Sequence, residues 1–255
     1  MRLGARFKAA SIHLGICAVV ALLVGGAIIG MWFPGQYAQL ANGWHLLLII
    51  LGVDVVCGPL LTLVVYNPAK SKRELRTDLA LVALLQLGAL AYGVHVATQA
   101  RPVLLAFEFD RFRVVSAAEI DPDRLPAAPP EFRSLSMTGP QIIGVRVPKN
   151  TDPDFGNAVD VALAGLDVTY RPQFWRPYDE QRSTVARQAR HLSVLRAKYP
   201  EQAAAIDKLV AGSGQPETAL GFIPAQNKRG DDWVVIVDKE QANVKGFVPV
   251  DGFFK

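Results

Sequence analysis

The sequence predicts three transmembrane α-helices over residues 1–98, followed by a C-terminal extracytoplasmic α+β domain over residues 99–255. Three observations carry this. Three apolar runs, about 12–31, 44–66 and 79–96, each supply roughly the 20 residues that cross a hydrocarbon layer. The net charge of +4 lies wholly in the first 98 residues. Beyond them the texture changes to short strand-like and helix-like runs separated by proline-rich connections.

The first span runs from Ile12 to Met31, preceded by Arg2, Arg6 and Lys8. The second runs from Trp44 to Tyr66 and the third from Leu79 to Val96, joined by the basic stretch "NPAKSKRELR". The connection "WFPGQYAQLANGWH" between the first two carries no Lys, Arg, Asp or Glu. Cytoplasmic loops hold the excess of Lys and Arg, so the N-terminus and the 67–78 loop are expected in the cytoplasm and residues 99–255 on the other side. Trp32, Phe33, Tyr37 and Trp44 flank the uncharged connection, where interfacial aromatics are expected. "AQLA" at 38–41 offers a small-residue cleavage pattern. The apolar run before it is longer than a signal-peptide core and two more spans follow, so an anchor is expected instead.

The remaining 20 basic and 20 acidic side chains of the C-terminal part balance. No basic stripe is left for a phosphate backbone, which excludes nucleic acid as a partner. Both cysteines, Cys17 and Cys57, fall within spans, so no disulfide and no thiol nucleophile is available to the exported part.

In that part, Val103–Phe109 and Phe112–Ser116 read as two strands joined by a turn near Asp110, and "DPDRLPAAPPEF" as an irregular loop. "IIGVRVP" (142–148) reads as a strand, while "AVDVALAG" (158–165) fits strand or helix. Val185, Ala189, Leu192, Leu195 and Tyr199 recur at three- and four-residue spacing, which predicts one helix from Tyr178 to Tyr199. Pro200 opens a second helix to about Val210, with Gly212 beyond its end. "ALGFIPA", "WVVIVD" and "VKGFVPV" close the chain as strands, the last two joined as a hairpin through "KEQAN".

Candidates for chemistry are sparse. His191 is the one histidine of the exported part, and one histidine without cysteine lacks metal-ligand spacing. Glu108, Asp110, Asp121 and Asp123 sit near the first strands, but catalytic carboxylates need burial and charged neighbours. Arg182, Arg187, Arg190 and Arg196 read as a solvated helix face. No catalytic, cofactor-binding or metal-binding residue is assigned.

Asp54 is the sharpest single feature. It lies about 15 Å below the outer end of its span, where an exposed carboxylate costs about 2.5–3.5 kcal/mol on insertion scales. Counting from Leu79, Tyr92 reaches a similar depth and Gln86 falls about 9 Å lower. A hydrogen bond from Asp54 to Tyr92 is therefore expected, beside a kink at Gly58–Pro59, with Gly25 and Gly26 allowing close helix approach. Asp54, Gly58, Pro59 and Tyr92 are candidates for a structural or partner-docking role. His13 and His95 lie near opposite faces, which argues against a proton relay.

"GVDVVCGPLLTLVVYNP", "RTDLALVALLQLGALAYG" and "ARPVLLAFEFDRFRVVSAAEID" together resemble the TfpX/TfpZ family of type IV pilin accessory proteins, and "WVVIVDKEQANVKGFVPVDGFF" is similar to that family's closing hairpin. The resemblance implies a multi-pass bacterial inner-membrane protein with a periplasmic domain. Its expected role is non-enzymatic and chaperone-like, assisting assembly or surface display of a cognate type IV pilin, with lipid as its surroundings. No catalytic residue and no cofactor comes with the resemblance. Two other readings compete: an envelope enzyme, marked by convergent carboxylates or a metal, and a small transporter or signalling subunit, marked by several polar groups at one depth.

Overall fold

The computed structural model describes residues 2–148, 150–151, 156, 168–227 and 232–254. The chain divides into two compact units, Met1–Arg101 and Pro102–Lys255. Membrane-type helices followed by a mixed α+β unit is the fold class expected from the sequence.

The first unit holds α1 (Arg2–Trp32), the single turn α2 (Tyr37–Leu40), α3 (Gly43–Val65) and α4 (Lys72–Ala100). Three of these helices are long and apolar enough to cross a membrane. Their outward positions are hydrocarbon-rich: Leu22, Leu48, Val64 and Leu84 are more than two-thirds exposed, as lipid-facing side chains should be. α4 starts seven residues before the apolar run, at a capping box. The Glu74 N–H donates to Ser71 Oγ at 3.3 Å and the Ser71 N–H to Glu74 Oε2 at 2.9 Å, satisfying two donors at the helix start.

α3 packs against both α1 and α4. Glycines make the approaches close. A Cβ on Gly25 would lie 2.8 Å from Leu51 Cδ1, one on Gly93 2.3 Å from Ile50 Cγ2, and one on Gly43 2.7 Å from Phe33 Cδ1. Gly26, expected to share this role, faces open space. Phe33 departs from its expected place among interfacial aromatics. It is fully buried, with Ile28, Ala38, Leu47 and Ala97, and plugs the end of the bundle. The absence of a side chain at Gly43 makes room for its ring, whereas Trp44, one residue on, stays 53% exposed.

The second unit is built on one mixed sheet. Its strands are β1 (Pro102–Glu108), β2 (Arg111–Ser116), β3 (Gln141–Val145), β4 (Trp175–Pro177), β5 (Arg190–His191), β6 (Leu220–Gln226), β7 (Asp232–Asp238) and β8 (Val244–Val248). The order is β4-β3-β1-β2-β6-β7-β8, with β5 also paired to β6. β1 and β3 are parallel, as are β2 and β6; the other pairs are antiparallel. All seven residues of β1 are buried, which explains why its first six, Pro102–Phe107, are all apolar: a strand covered on both faces has no polar side.

One core cluster covers the β1–β3 half, where Leu104, Ala106, Val115 and Ile143 meet Phe132, Phe174 and Trp175. Another covers the β6–β8 half, where Phe222, Val234, Ile236 and Val248 meet Leu192, Leu195 and Ile206. The hairpin β7–β8 is latched at its turn by Asp238, 2% exposed, which accepts from the Gln241 N–H at 2.6 Å and lies 3.6 Å from Lys245 Nζ. Burial pushes the Asp238 carboxyl up, but the Gln241 backbone bond, Lys245 and Asn243 outweigh it and hold it below the usual range.

Three expectations are corrected. The Tyr178–Tyr199 helix is interrupted: a 3-10 turn (Tyr178–Gln181) leads into α5 (Arg182–Gln188), then β5, then α6 (Leu192–Lys198). The apolar stripe is real, since Val185, Leu192 and Leu195 are buried. Sheet pairing of Arg190 with Phe222 and His191 with Gly221 overrides the helix between them. The proline-rich "DPDRLPAAPPEF" forms two 3-10 segments, Pro122–Ala127 and Pro130–Phe132. α7 (Ala203–Ser213) runs past Gly212 and stops at Gly214, whose φ of 67° is the left-handed conformation a helix terminator needs. The ambiguous run 158–165 lies outside the described residues.

Candidate functional site in the helical bundle

The candidate site is the middle layer of the bundle. Asp54 is the twelfth of the 23 residues of α3, and Gln86 the fifteenth of the 29 of α4, so each is the midpoint of its helix. Gln86 Nε2 donates to the Asp54 carbonyl oxygen at 3.2 Å and lies 3.3 Å from Cys17 Sγ. One amide therefore ties α4 to α3 and α1 at half-depth. Gly58 makes this possible, because a Cβ there would lie 2.0 Å from Gln86 Nε2. Pro59 follows within the helix, which continues to Val65. Its ring nitrogen has no hydrogen to donate to the preceding turn.

The expected Asp54–Tyr92 hydrogen bond is not made. Tyr92 is 71% exposed on the outside of α4, while Asp54 is only 9% exposed. The reason is register. With Gly58 against Gln86 and Gly93 against Ile50, Asp54 falls level with Leu90. One side of α4, carrying Val82, Gly93 and Ala97, faces inward and Tyr92 does not lie on it. Asp54 Oδ1 is buried without a hydrogen-bond partner among the described residues.

A second polar contact sits nearer the start of α1: His13 Nδ1 and Thr62 Oγ1 lie 2.5 Å apart. Thr62 is eight residues along α3 from Asp54, about 12 Å, so the two contacts are separate layers. His95 is exposed on the outside. Sequence reasoning missed Gln86, Cys17 and the His13–Thr62 pair. The available signal was the S-x-x-E pattern at Ser71–Glu74, which moves the start of α4 back and brings Gln86 to its centre.

In the second unit the candidate side chains are absorbed by the fold. Glu108, 3% exposed, accepts from Thr169 Oγ1 at 2.6 Å and lies 3.7 Å from Arg113 Nε. Asp110 pairs with Arg111 at 2.8 Å, and Asp121 accepts from the Asp123 N–H at 3.0 Å. Three of the four arginines expected on a solvated face are staples between elements, while Arg187 stays exposed and bonds Thr184 of its own helix at 3.3 Å. Arg182 reaches Asp179, the Gln241 carbonyl and Asn243. Arg190 donates to the Gly252 carbonyl at 3.1 Å and lies over the Phe254 ring. Arg196 joins Glu217 and Asp207; these two bonds raise its already high pKa, Glu217 contributing most. Burial likewise raises the Tyr178 phenol, whose O–H donates to the Ala242 carbonyl at 2.6 Å.

Three helices able to cross a membrane, tied at mid-depth by a partly buried amide and joined to a mixed-sheet domain, define a membrane protein with an α+β appendage. The model of the family described as fimbrial assembly protein FimB matches residues 1–42. A serogroup I fimbrial assembly protein of Dichelobacter nodosus is 34% identical over 248 residues, 96% of this chain and 95% of its own length. A serogroup E1 fimbrial assembly protein of the same organism is 35% identical over 251 residues, again 96% and 95%. A third, from serogroups C1 and C2, is 39% identical over 121 residues, 48% of this chain. No solved structure matches. The chain belongs to the family of fimbrial assembly proteins, in keeping with its resemblance to pilin accessory proteins.

An unpartnered buried oxygen weakens the bundle rather than holding it together. Asp54→Leu should therefore leave the melting temperature of the detergent-purified protein unchanged or raise it, in line with an insertion penalty of about 2.5–3.5 kcal/mol for a central carboxylate. A drop of several degrees would mean that the carboxylate is bonded within the bundle.

Proposed function

We propose that this protein is a non-enzymatic accessory factor of the bacterial inner membrane that assists a cognate type IV pilin, in a chaperone-like way, to assemble or reach the surface. The observation that carries the reading is full-length similarity to proteins named for fimbrial assembly. The layout supports it. A pilin awaiting assembly has an apolar helix in the membrane and a globular head outside, and a three-helix anchor with an exported domain matches both parts.

Positive charge at the N-terminus and in the 67–78 loop favours a cytoplasmic place for both, which puts the second unit in the periplasm. Release to the assembly machinery requires a modest interface. The pilin helix offers mostly hydrocarbon, whereas its head offers shaped polar surface, so discrimination between pilins falls to the periplasmic domain. Asp54 Oδ1 is buried and without a partner among the described residues, so it would receive a donor from a docking helix only where α4 parts from α3, with Gly58 and Pro59 beside it.

Two experiments test this. A reporter active only outside the cytoplasm should be active when fused after Lys255 or near Ala97 and silent near Ser71; the reverse pattern defeats the orientation. Deleting the gene should reduce surface pili while pilin protein persists. A chimera of residues 1–101 with a relative's C-terminal domain should then restore piliation with the relative's pilin only. Restoration confined to the original pilin would place specificity in the membrane helices, and unchanged piliation after deletion would defeat the function.

A further inference from the structure

One side of α4 is unlike the rest of the bundle's outer surface. Leu81, Leu85, Gly88, Tyr92, His95 and Gln99 follow one another at spacings of four and three residues, which places them along one helix side. All six are exposed. The outward positions of α3 from Leu48 to Val64 carry, by contrast, only hydrocarbon, glycine and the thiol of Cys57. Among the described residues, no hydrogen bond reaches the side chains of Tyr92, His95 or Gln99.

Depth makes this costly. In the register set by Gly58 against Gln86 and Gly93 against Ile50, Tyr92 lies two residues above the level of Asp54, about 3 Å from the midpoint of α3. A phenol there sits in hydrocarbon, about 6 Å short of the end of the apolar run at Val96 and below the interfacial belt where tyrosine is at home. Its O–H needs a partner that this chain does not supply.

The three polar groups share one property. Hydroxyl, imidazole and carboxamide each both donate and accept hydrogen bonds, so each can pair with an identical group. Two copies of one membrane protein insert with the same orientation, and a twofold axis along the membrane normal sets α4 parallel to the α4 of the other copy. That symmetry brings each residue opposite its own counterpart. The four-and-three spacing is the seam of a left-handed helix pair. At Gly88 a Cβ would meet nothing within 4 Å, so a second helix can come close there.

We propose that this face of α4 is the interface of a homodimer, with Tyr92, His95 and Gln99 pairing across the axis and Gly88 at the point of close approach. The proposal goes beyond the assembly role and rests only on the helices crossing the membrane. The reporter fusions test that separately, so correct topology without a dimer counts against the interface alone.

The test is oxidative cross-linking of the full-length protein in native membranes, in a Cys57→Ser background because Cys57 is itself exposed. Leu85→Cys should give a covalent homodimer, and Leu87→Cys, exposed on another side of α4, should give little. Adding Gly88→Leu should abolish the Leu85→Cys product without lowering protein level, since its side chain enters open space. Adding the isosteric Tyr92→Phe should lower the dimerisation constant about threefold, the equivalent of roughly 0.6 kcal/mol for one hydrogen bond within a membrane. Equal yields at positions 85 and 87, a dimer that persists with Gly88→Leu, no product at all, or capture of a different protein at position 85 would each overturn the proposal.

Discussion

Hydrocarbon supplies no hydrogen-bond partner, so every polar group placed in it must be met from within the protein. In this chain that constraint converges on one residue. Gln86 lies at the centre of α4, and its amide reaches the Asp54 carbonyl on α3 and Cys17 on α1 only because Gly58 leaves the space. The register this imposes also carries Gly93 onto Ile50 and turns Tyr92 away from the interior. At the other end of α1, Phe33 fills the place left by Gly43, so both the middle and the end of the bundle depend on a missing side chain.

The C-terminal unit solves a different problem. It lacks cysteine, and its stability comes from a sheet buried in both halves and from arginines that bind elements far apart in sequence. Arg190, for instance, holds the Gly252 carbonyl and stacks on Phe254, which Lys198 also covers. The carboxylates and arginines near its strands are thus occupied in holding the domain together.

Much of this was legible in the sequence, for reasons that can be named. The three spans and the strands β1, β2, β6, β7 and β8 show themselves as runs bounded by turn residues. The start of α4 does not, because its first two turns are charged and only the Ser71–Glu74 box marks it; counting from Leu79 then put Tyr92 rather than Gln86 in the interior layer. The break between α5 and α6 was hidden for another reason. The stripe through Val185, Leu192 and Leu195 is helical in spacing, but Arg190 and His191 join β6, where a Cβ on Gly221 would lie 2.9 Å from the Arg190 carbonyl oxygen. A local pattern cannot report a contact with a strand thirty residues away, and the same holds for Gly58, whose purpose is visible only beside Gln86.

The most direct measurement is the thermal stability of four full-length proteins in one detergent: the parent, Gly58→Ala, Gln86→Ala and the double variant. In the parent background the new methyl displaces the Gln86 amide and leaves it unpaired, a cost of about 1–3 kcal/mol that cancels or outweighs alanine's gain of about 1 kcal/mol as a helix former, so Gly58→Ala should be neutral to destabilising. In the Gln86→Ala background the obstacle is gone and alanine is the better helix former by about 1 kcal/mol, so the same change should be neutral or stabilising. An effect of Gly58→Ala less favourable in the parent than in the Gln86→Ala background, by about 1 kcal/mol or more, is the predicted result. Equal destabilisation by Gly58→Ala in both backgrounds would show that Gly58 and Gln86 are not coupled and would contradict the account of the bundle.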